Sequence, residues 1–267
     1  MSNHRAFLKP FLTGGLILLF VFQAACHRPV RSPEEDLLDT ARQAFLDGRY
    51  GDAEHDYQTY LEHFPKGAAR LEAWRRLADI SQDIRVSPRK AALLLETAVL
   101  ENAGNIATQA KLSLRAARLH LELKDYAKAT KLLQGVIDLP GLDAATLAKA
   151  CLELAHARVL ARDAAGALAA YDLCRDRVDD AGSKSRCDLA RARLFMQLDR
   201  TGEAEPILHT LFADQRVPAS VRGEAGFALG QLSETAHDKA AARAYYEQVR
   251  TLYPNPLAVA QKLKHLK

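Results

Sequence analysis

The sequence predicts an all-α protein in which helical hairpins of similar size stack into a solenoid. Composition is the first of three observations behind this. Alanine supplies 47 of the 267 residues, against 14 glycines and 10 prolines. Alanine is the best helix former and lets helices pack closely, whereas strand-rich folds draw on Val, Ile, Thr and aromatics. The second is a repeat: alanines in related surroundings recur at Ala53, Ala91, Ala129, Ala167, Ala204 and Ala242, in steps of 38, 38, 38, 37 and 38 residues. The third is the placing of Pro65, Pro88, Pro140, Pro218 and Pro254 between helical runs, where a missing N–H costs nothing.

At the N-terminus, Arg5 and Lys9 precede a run from Phe11 to Phe22 that is apolar apart from Thr13 and two glycines, and Gln23-Ala24-Ala25-Cys26 comes next. A charged start, a short apolar run and small residues make a secretory signal over residues 1–25. The apolar run of 12 residues reaches about 18 Å as helix, short of a roughly 30 Å hydrocarbon core; an uncut N-terminal anchor is the alternative. Without that segment, 35 basic side chains face 33 acidic ones. So balanced a chain is not a general polyanion binder, and no nucleic-acid partner is expected. Residues 26–34, with Pro29 and Pro33, read as a tether, and 35–267 as the folded part.

Each unit is a helix, a short turn and a second helix. Twelve residues before the repeating alanines lie Ala41, Asp79, Ala117, Ala155, Ala192 and Gly230, five of them small, where the two helices of a unit must touch at near backbone contact. Unit two departs, because Asp79 takes the small-residue position and no Gly-x-Tyr turn is present, so a distortion is expected there. In unit three, Leu114, Ala117 and Leu121 line one helix at spacings of three and four, and Ala129, Leu133 and Val136 line its partner. In unit five, Pro206 requires an early position in the second helix, which is expected to start near Gly202 or Glu203. Unit six reads Ala242-x-x-x-Tyr246-x-x-Val249 and ends at Pro254, and the basic amphipathic segment Leu257–Leu266 is placed to cap it. Phe45, Tyr57, Tyr60, Trp74, Tyr171, Tyr245 and Tyr246 fall at helical spacing and read as core.

The stretch Gly48-x-Tyr50-x-x-Ala53-x-x-x-Tyr57-x-x-x-Leu61-x-x-x-Pro65 resembles the turn and second helix of a tetratricopeptide repeat (TPR). The usual period of that family is roughly 34 residues, so longer helices or connections are expected here. The resemblance implies a right-handed superhelical solenoid of about six hairpins plus a capping helix, with the first helix of each unit on the concave side, no enzyme activity and no cofactor. Gln23-Ala24-Ala25-Cys26 resembles the signals of bacterial lipoproteins, which are cut before a cysteine that is then lipidated, although Gln23 departs from the aliphatic residue usual there. His27 in place of Asp implies, by that family's sorting rule, the outer membrane. Phe64-Pro65-Lys66-Gly67 and Tyr253-Pro254-Asn255 resemble the unit endings of periplasmic and outer-membrane TPR lipoproteins. These resemblances imply a non-catalytic scaffold or adaptor, anchored in the membrane through lipidated Cys26 on the periplasmic side of the outer membrane. A soluble periplasmic or inner-membrane-anchored protein is the alternative location. A structural spacer, or an enzyme-associated helical protein acting on cell-wall material, are the alternative roles.

In the repeat register, units three to five would present Lys111, Leu114, Arg118, Lys149, Leu152, His156, Arg186, Leu189 and Arg193 on the concave face. Arg offers a fork of donors matched to a carboxylate, and leucines supply apolar contact. The partner expected is an extended or helical segment of another envelope protein, with acidic groups. Against this stands a solvated face whose arginines pair with acids of adjacent units, each pair worth little.

The chain carries no motif for other chemistry. No phosphate loop follows a strand, His-Glu-x-x-His is absent, and no zinc-type cysteine spacing occurs, so no metal is expected. Asp179-Asp180 and Glu34-Glu35-Asp36 read as helix-end residues. Cys174 and Cys187, thirteen apart near the end of one helix and the start of the next, are a candidate disulfide across that seam, with Cys151 left buried.

Overall fold

A computed structural model describes residues 31–266. Cys26 and the signal segment lie outside the described residues. Thirteen α-helices follow one another among the described residues, with no strand. Unit one is α1 (Pro33–Leu46) and α2 (Tyr50–His63), and unit two is α3 (Arg70–Asp79) and α4 (Pro88–Glu101). Units three and four are α5 (Ile106–Glu122) with α6 (Tyr126–Ile137), and α7 (Ala144–Leu160) with α8 (Ala164–Arg177). Units five and six are α9 (Ala181–Gln197) with α10 (Thr201–Ala213), and α11 (Ala219–Thr235) with α12 (Lys239–Gln248). The last helix is α13 (Pro256–His265).

Helix starts follow local chemistry. Ser32 and Glu35 form a reciprocal capping box, and Pro33 occupies the first helical position, so α1 begins inside the stretch read as tether. Asn105, Asp125, Asp143, Asp163, Asp180, Asp238 and Asn255 each accept a hydrogen bond from the backbone N–H three residues on. Pro206 falls at the sixth residue of α10, which starts at Thr201 rather than Gly202 or Glu203. Its missing N–H leaves only the carbonyl of Gly202 without its intrahelical partner.

The turn inside every unit is built on one residue with positive φ, always five before the repeating alanine: Gly48, Val86, Lys124, Arg162, Asp199 and His237. In five units the backbone closes on the first helix in the same way, as when Gly48 N–H donates to Phe45 O at 3.2 Å and Arg49 N–H to Ala44 O at 2.9 Å. This is a Schellman C-cap, which satisfies the orphan carbonyls of the last turn.

Unit two differs, and the difference explains Asp79. A π-helical turn occupies Ile80–Ile84, and Ser87 N–H reaches back six residues to Ser81 O at 2.8 Å instead of five. A π-turn absorbs one additional residue. Counting twelve back from Ala91 therefore lands one short, and the small residue is Ala78, fully buried beside Ala91 and Ala92. The same one-residue shift makes Glu72 the unit-two counterpart of Lys111.

The repeating alanines at 53, 91, 129, 167, 204 and 242 have no exposed surface, nor have Ala41, Ala117, Ala155 and Ala192. At the sixth pairing Gly230 faces the ring of Tyr246, and a Cβ there would lie 2.6 Å from it. Buried clusters succeed one another along the stack: one in units one and two, one across units two and three, one through units three to five, one in units five and six, and a last one under α13. The first helices touch across unit boundaries, α5 with α7, α7 with α9 and α9 with α11, whereas the second helices of successive units make no comparable contact. The stack therefore closes toward the first helices, which form its inner wall.

Candidate functional site

Helices α5, α7, α9 and α11 are each 17 residues long, and their repeat register is strict. Their sixth residues are Lys111, Lys149, Arg186 and Glu224; their thirteenth are Arg118, His156, Arg193 and Gln231. The six cationic or imidazole side chains among them are all exposed.

At both ends of the inner wall, opposite charges meet across a unit boundary. Arg42 of α1 makes a two-pronged bond to Glu72 of α3, at 2.8 Å and 2.5 Å, and Arg193 of α9 reaches Glu224 of α11 at 2.5 Å. The Arg42 guanidinium holds the Glu72 carboxyl below the usual glutamate range. In the middle the corresponding residues include no acid: by register Arg118 stands opposite Lys149, and His156 opposite Arg186. Arg118 turns instead to Glu153, one helical turn on from Lys149, with its Nε 2.9 Å from Oε1. Lys111, Lys149, His156 and Arg186 have no ion-pair partner among the described residues, whereas Arg118 and Arg193 do. Two of the six are thus paired within the chain and four are open.

Its apolar half is smaller than the register suggested. Leu114 and Leu189 are 4% exposed, packed into the seams between units, and of the three leucines only Leu152 is half-exposed. Position five points between neighbouring helices rather than into the groove. In units three to five the inner wall is therefore a charged surface on which, of the three expected leucines, Leu152 alone is accessible.

Within units two to five the charge is segregated by side. The inner helices α3, α5, α7 and α9 carry twelve Lys and Arg against five acids, and the outer helices α4, α6, α8 and α10 carry six against six. At the N-terminal end of the wall an open cavity of about 630 Å³ lies between units one and two, lined by Leu38, Arg42, Leu71, Glu72, Arg75 and Arg76 among others. Arg76 stacks over Phe45 at 4.5 Å and Arg115 bonds Asp79 at 2.6 Å, while Arg75 is exposed. This basic continuation was missed in the sequence because the π-turn displaces unit two by one residue; the pair Arg75-Arg76 was its visible trace.

Cys174 at the end of α8 and Cys187 in α9 are joined as a disulfide with Cα atoms 6.2 Å apart, within the range a disulfide spans. Cys151 is buried and burial pushes its thiol up to about 11, while His156 is exposed, so the two do not form a nucleophile–base pair. The described residues hold no group of three or more His, Cys, Asp or Glu able to ligate a metal, and no catalytic constellation. No described helix is long and apolar enough to cross a membrane.

No family model matches the chain, and no curated protein matches it. Solved structures do. The C-terminal part of a TPR repeat-containing protein from Cytophaga hutchinsonii shares 16% identity and a TM-score of 0.61, covering 86% of this chain and 87% of its own. BtubC from P. vanneervenii shares 16% identity and a TM-score of 0.56, covering 85% and 96%. Pseudomonas aeruginosa pilF shares 17% identity and a TM-score of 0.50, covering 88% and 97%. At such identities the likeness concerns the fold alone: the chain is a TPR-like solenoid of six helical hairpins with a cap formed by α13.

Proposed function

We propose that the protein is a non-catalytic scaffold of the bacterial cell envelope that holds an acidic segment of another protein against its inner wall. The observation that carries this is the row of like charges in units three to five. Lys111, Lys149 and Arg186 repeat at one helical position with no ion-pair partner among the described residues, although the same position carries a paired acid at Glu72 and Glu224. Mutual repulsion of exposed cations raises the free energy of the unliganded wall, and an anionic ligand relieves it. Rigid stacked helices present these groups already ordered, which lowers the cost of binding.

Location rests on the segment before the solenoid. Ala24-Ala25-Cys26 supports cleavage before Cys26 and lipidation of that residue, and His27 supports the periplasmic side of the outer membrane. Mass analysis of the mature N-terminus checks this: an unmodified end beyond Cys26 overturns the anchor. The scaffold role is tested by co-purification from detergent-solubilised membranes with a Lys111→Glu, Lys149→Glu, Arg186→Glu variant. These residues test the groove better than Arg118 and Arg193, whose charges are already engaged. Loss of a co-purifying protein supports the groove, and an unchanged set of bands supports a structural spacer instead.

A further inference from the structure

We infer that the gripped segment is a polyproline-II stretch with a carboxylate at every third residue, read in turn by Lys111, Lys149 and Arg186. The inference rests on the acidic-partner reading above and adds the partner's conformation and spacing. The three cations each sit at the sixth residue of a 17-residue helix, and the helices touch in the order α5, α7, α9. Packed helices lie about 8–10 Å apart, so the cations form a row with that repeat. A polyproline-II chain rises about 3.1 Å per residue with three residues per turn, which returns a side chain to the same side after about 9.3 Å. A β-strand of similar rise turns its third neighbour to the opposite side, so alternate acids would face away from the wall.

An α-helix also returns to one face, after seven residues and about 10.5 Å. The wall itself decides against it. A bound amphipathic helix seats an apolar face in an apolar groove, and here Leu114 and Leu189 are buried in the seams. A polyproline-II segment needs neither an apolar trough nor a free sheet edge, because its backbone stays solvated. The row ends where the same position carries Glu72 on one side and Glu224 on the other, each already paired with an arginine of the chain and offering no cation to a further carboxylate. The read length is therefore three carboxylates, a stretch of about seven residues at three residues per turn.

The test uses the full chain and fluorescein-labelled peptides, measured by anisotropy at low salt. The probe is Glu-Pro-Pro-Glu-Pro-Pro-Glu, set against two isomers of the same composition, one with adjacent glutamates and one with glutamates two apart. An alanine-based helical peptide with glutamates seven apart is the fourth ligand. The third-spaced peptide is expected to bind about tenfold tighter than either isomer, as two additional exposed ion pairs allow. Lys149→Ala, in the middle of the row and neutral to the helix, removes one of those two pairs and is expected to weaken binding about threefold. Equal binding of all four peptides overturns the spacing and leaves the acidic-partner reading standing. Tightest binding of the helical peptide overturns the conformation. Binding of none of them, nor of long poly-glutamate, removes the acidic-partner reading as well.

Discussion

Val86 holds a φ of +50° with 79% of its side chain in water, the one β-branched residue among the six turn positions. Left-handed backbone costs a non-glycine residue about 1–2 kcal/mol, and a glycine gives back about 0.5–1 kcal/mol through its looser unfolded state. Val86→Gly is therefore expected to raise stability by about 1 kcal/mol, read as a shift of the urea midpoint; a midpoint that stays or falls denies the strain. Two native glycines make an opposed pair. Gly230→Ala drives a Cβ into the Tyr246 ring, whose hydroxyl is fixed to Glu234 at 3.0 Å, and is expected to cost about 1–3 kcal/mol. Gly135 lies inside α6, and a methyl group added to its Cα would have nothing within 4 Å, so Gly135→Ala is expected to gain about 1 kcal/mol by helix propensity. The same urea midpoints check both, and two shifts of one sign would contradict the difference in packing. At this scale the alanines were legible in the sequence because near backbone contact demands a small side chain. The left-handed turns were not, because only Gly48 is the residue type that marks them, while Lys124, Arg162, Asp199 and His237 adopt the same conformation.

In units one and two, three carboxyls are held below their usual range by the cations they accept from: Glu54 by Lys90 of α4 and Glu72 by Arg42 of α1 across the unit boundary, and Glu101 by Arg70 of α3 within unit two. Arg70 also bonds Leu61 O at 2.6 Å and Phe64 O at 3.1 Å, tying the end of α2 to the same knot. A carboxyl with a lowered folded pKa contributes stability that is present above its unfolded value, about 4.3, and is lost as pH falls through the folded value. Asp188 of α9 behaves oppositely: burial outweighs the attraction of Arg175 and Arg191 and raises its pKa. Its protonation favours the folded state, so the contact of α8 with α9 gains as pH falls through the raised value toward about 3.9. Hydrogen exchange from pH 6 to pH 3 is thus expected to show protection lost first in α1 to α4 while α8 and α9 keep theirs; the reverse order counts against these carboxyls as the acid-sensitive ties. These seams were illegible beforehand because an ion pair across units depends on how hairpins are offset, which a repeat period alone leaves open. The one-residue π-turn compounded the effect, moving Glu72 into the position where Arg42 finds it.

A solenoid whose units touch only their neighbours has stability that is approximately a sum of unit and interface terms, and its open ends need covers. Helix α13 covers one end: Val259 is fully buried and Lys262 pairs with Glu234 at 2.5 Å, while just before it Tyr253 stacks on Phe227 at 4.2 Å. Deleting residues 255–267 uncovers Tyr246 and Val249 and forfeits at least about 2 kcal/mol of apolar burial. A lowered melting temperature with visible light scattering is expected, and an unchanged melt would show that α13 is no cover. The six-unit plan was the most legible level of all, since periods repeat even where single residues mislead. The basic inner wall was legible only in part, since its leucines turn inward and its outer arginines are spoken for. That wall has one more effect. Two copies brought together groove to groove would set cation against cation within the screening distance of about 8 Å, so this face disfavours pairing with its own kind.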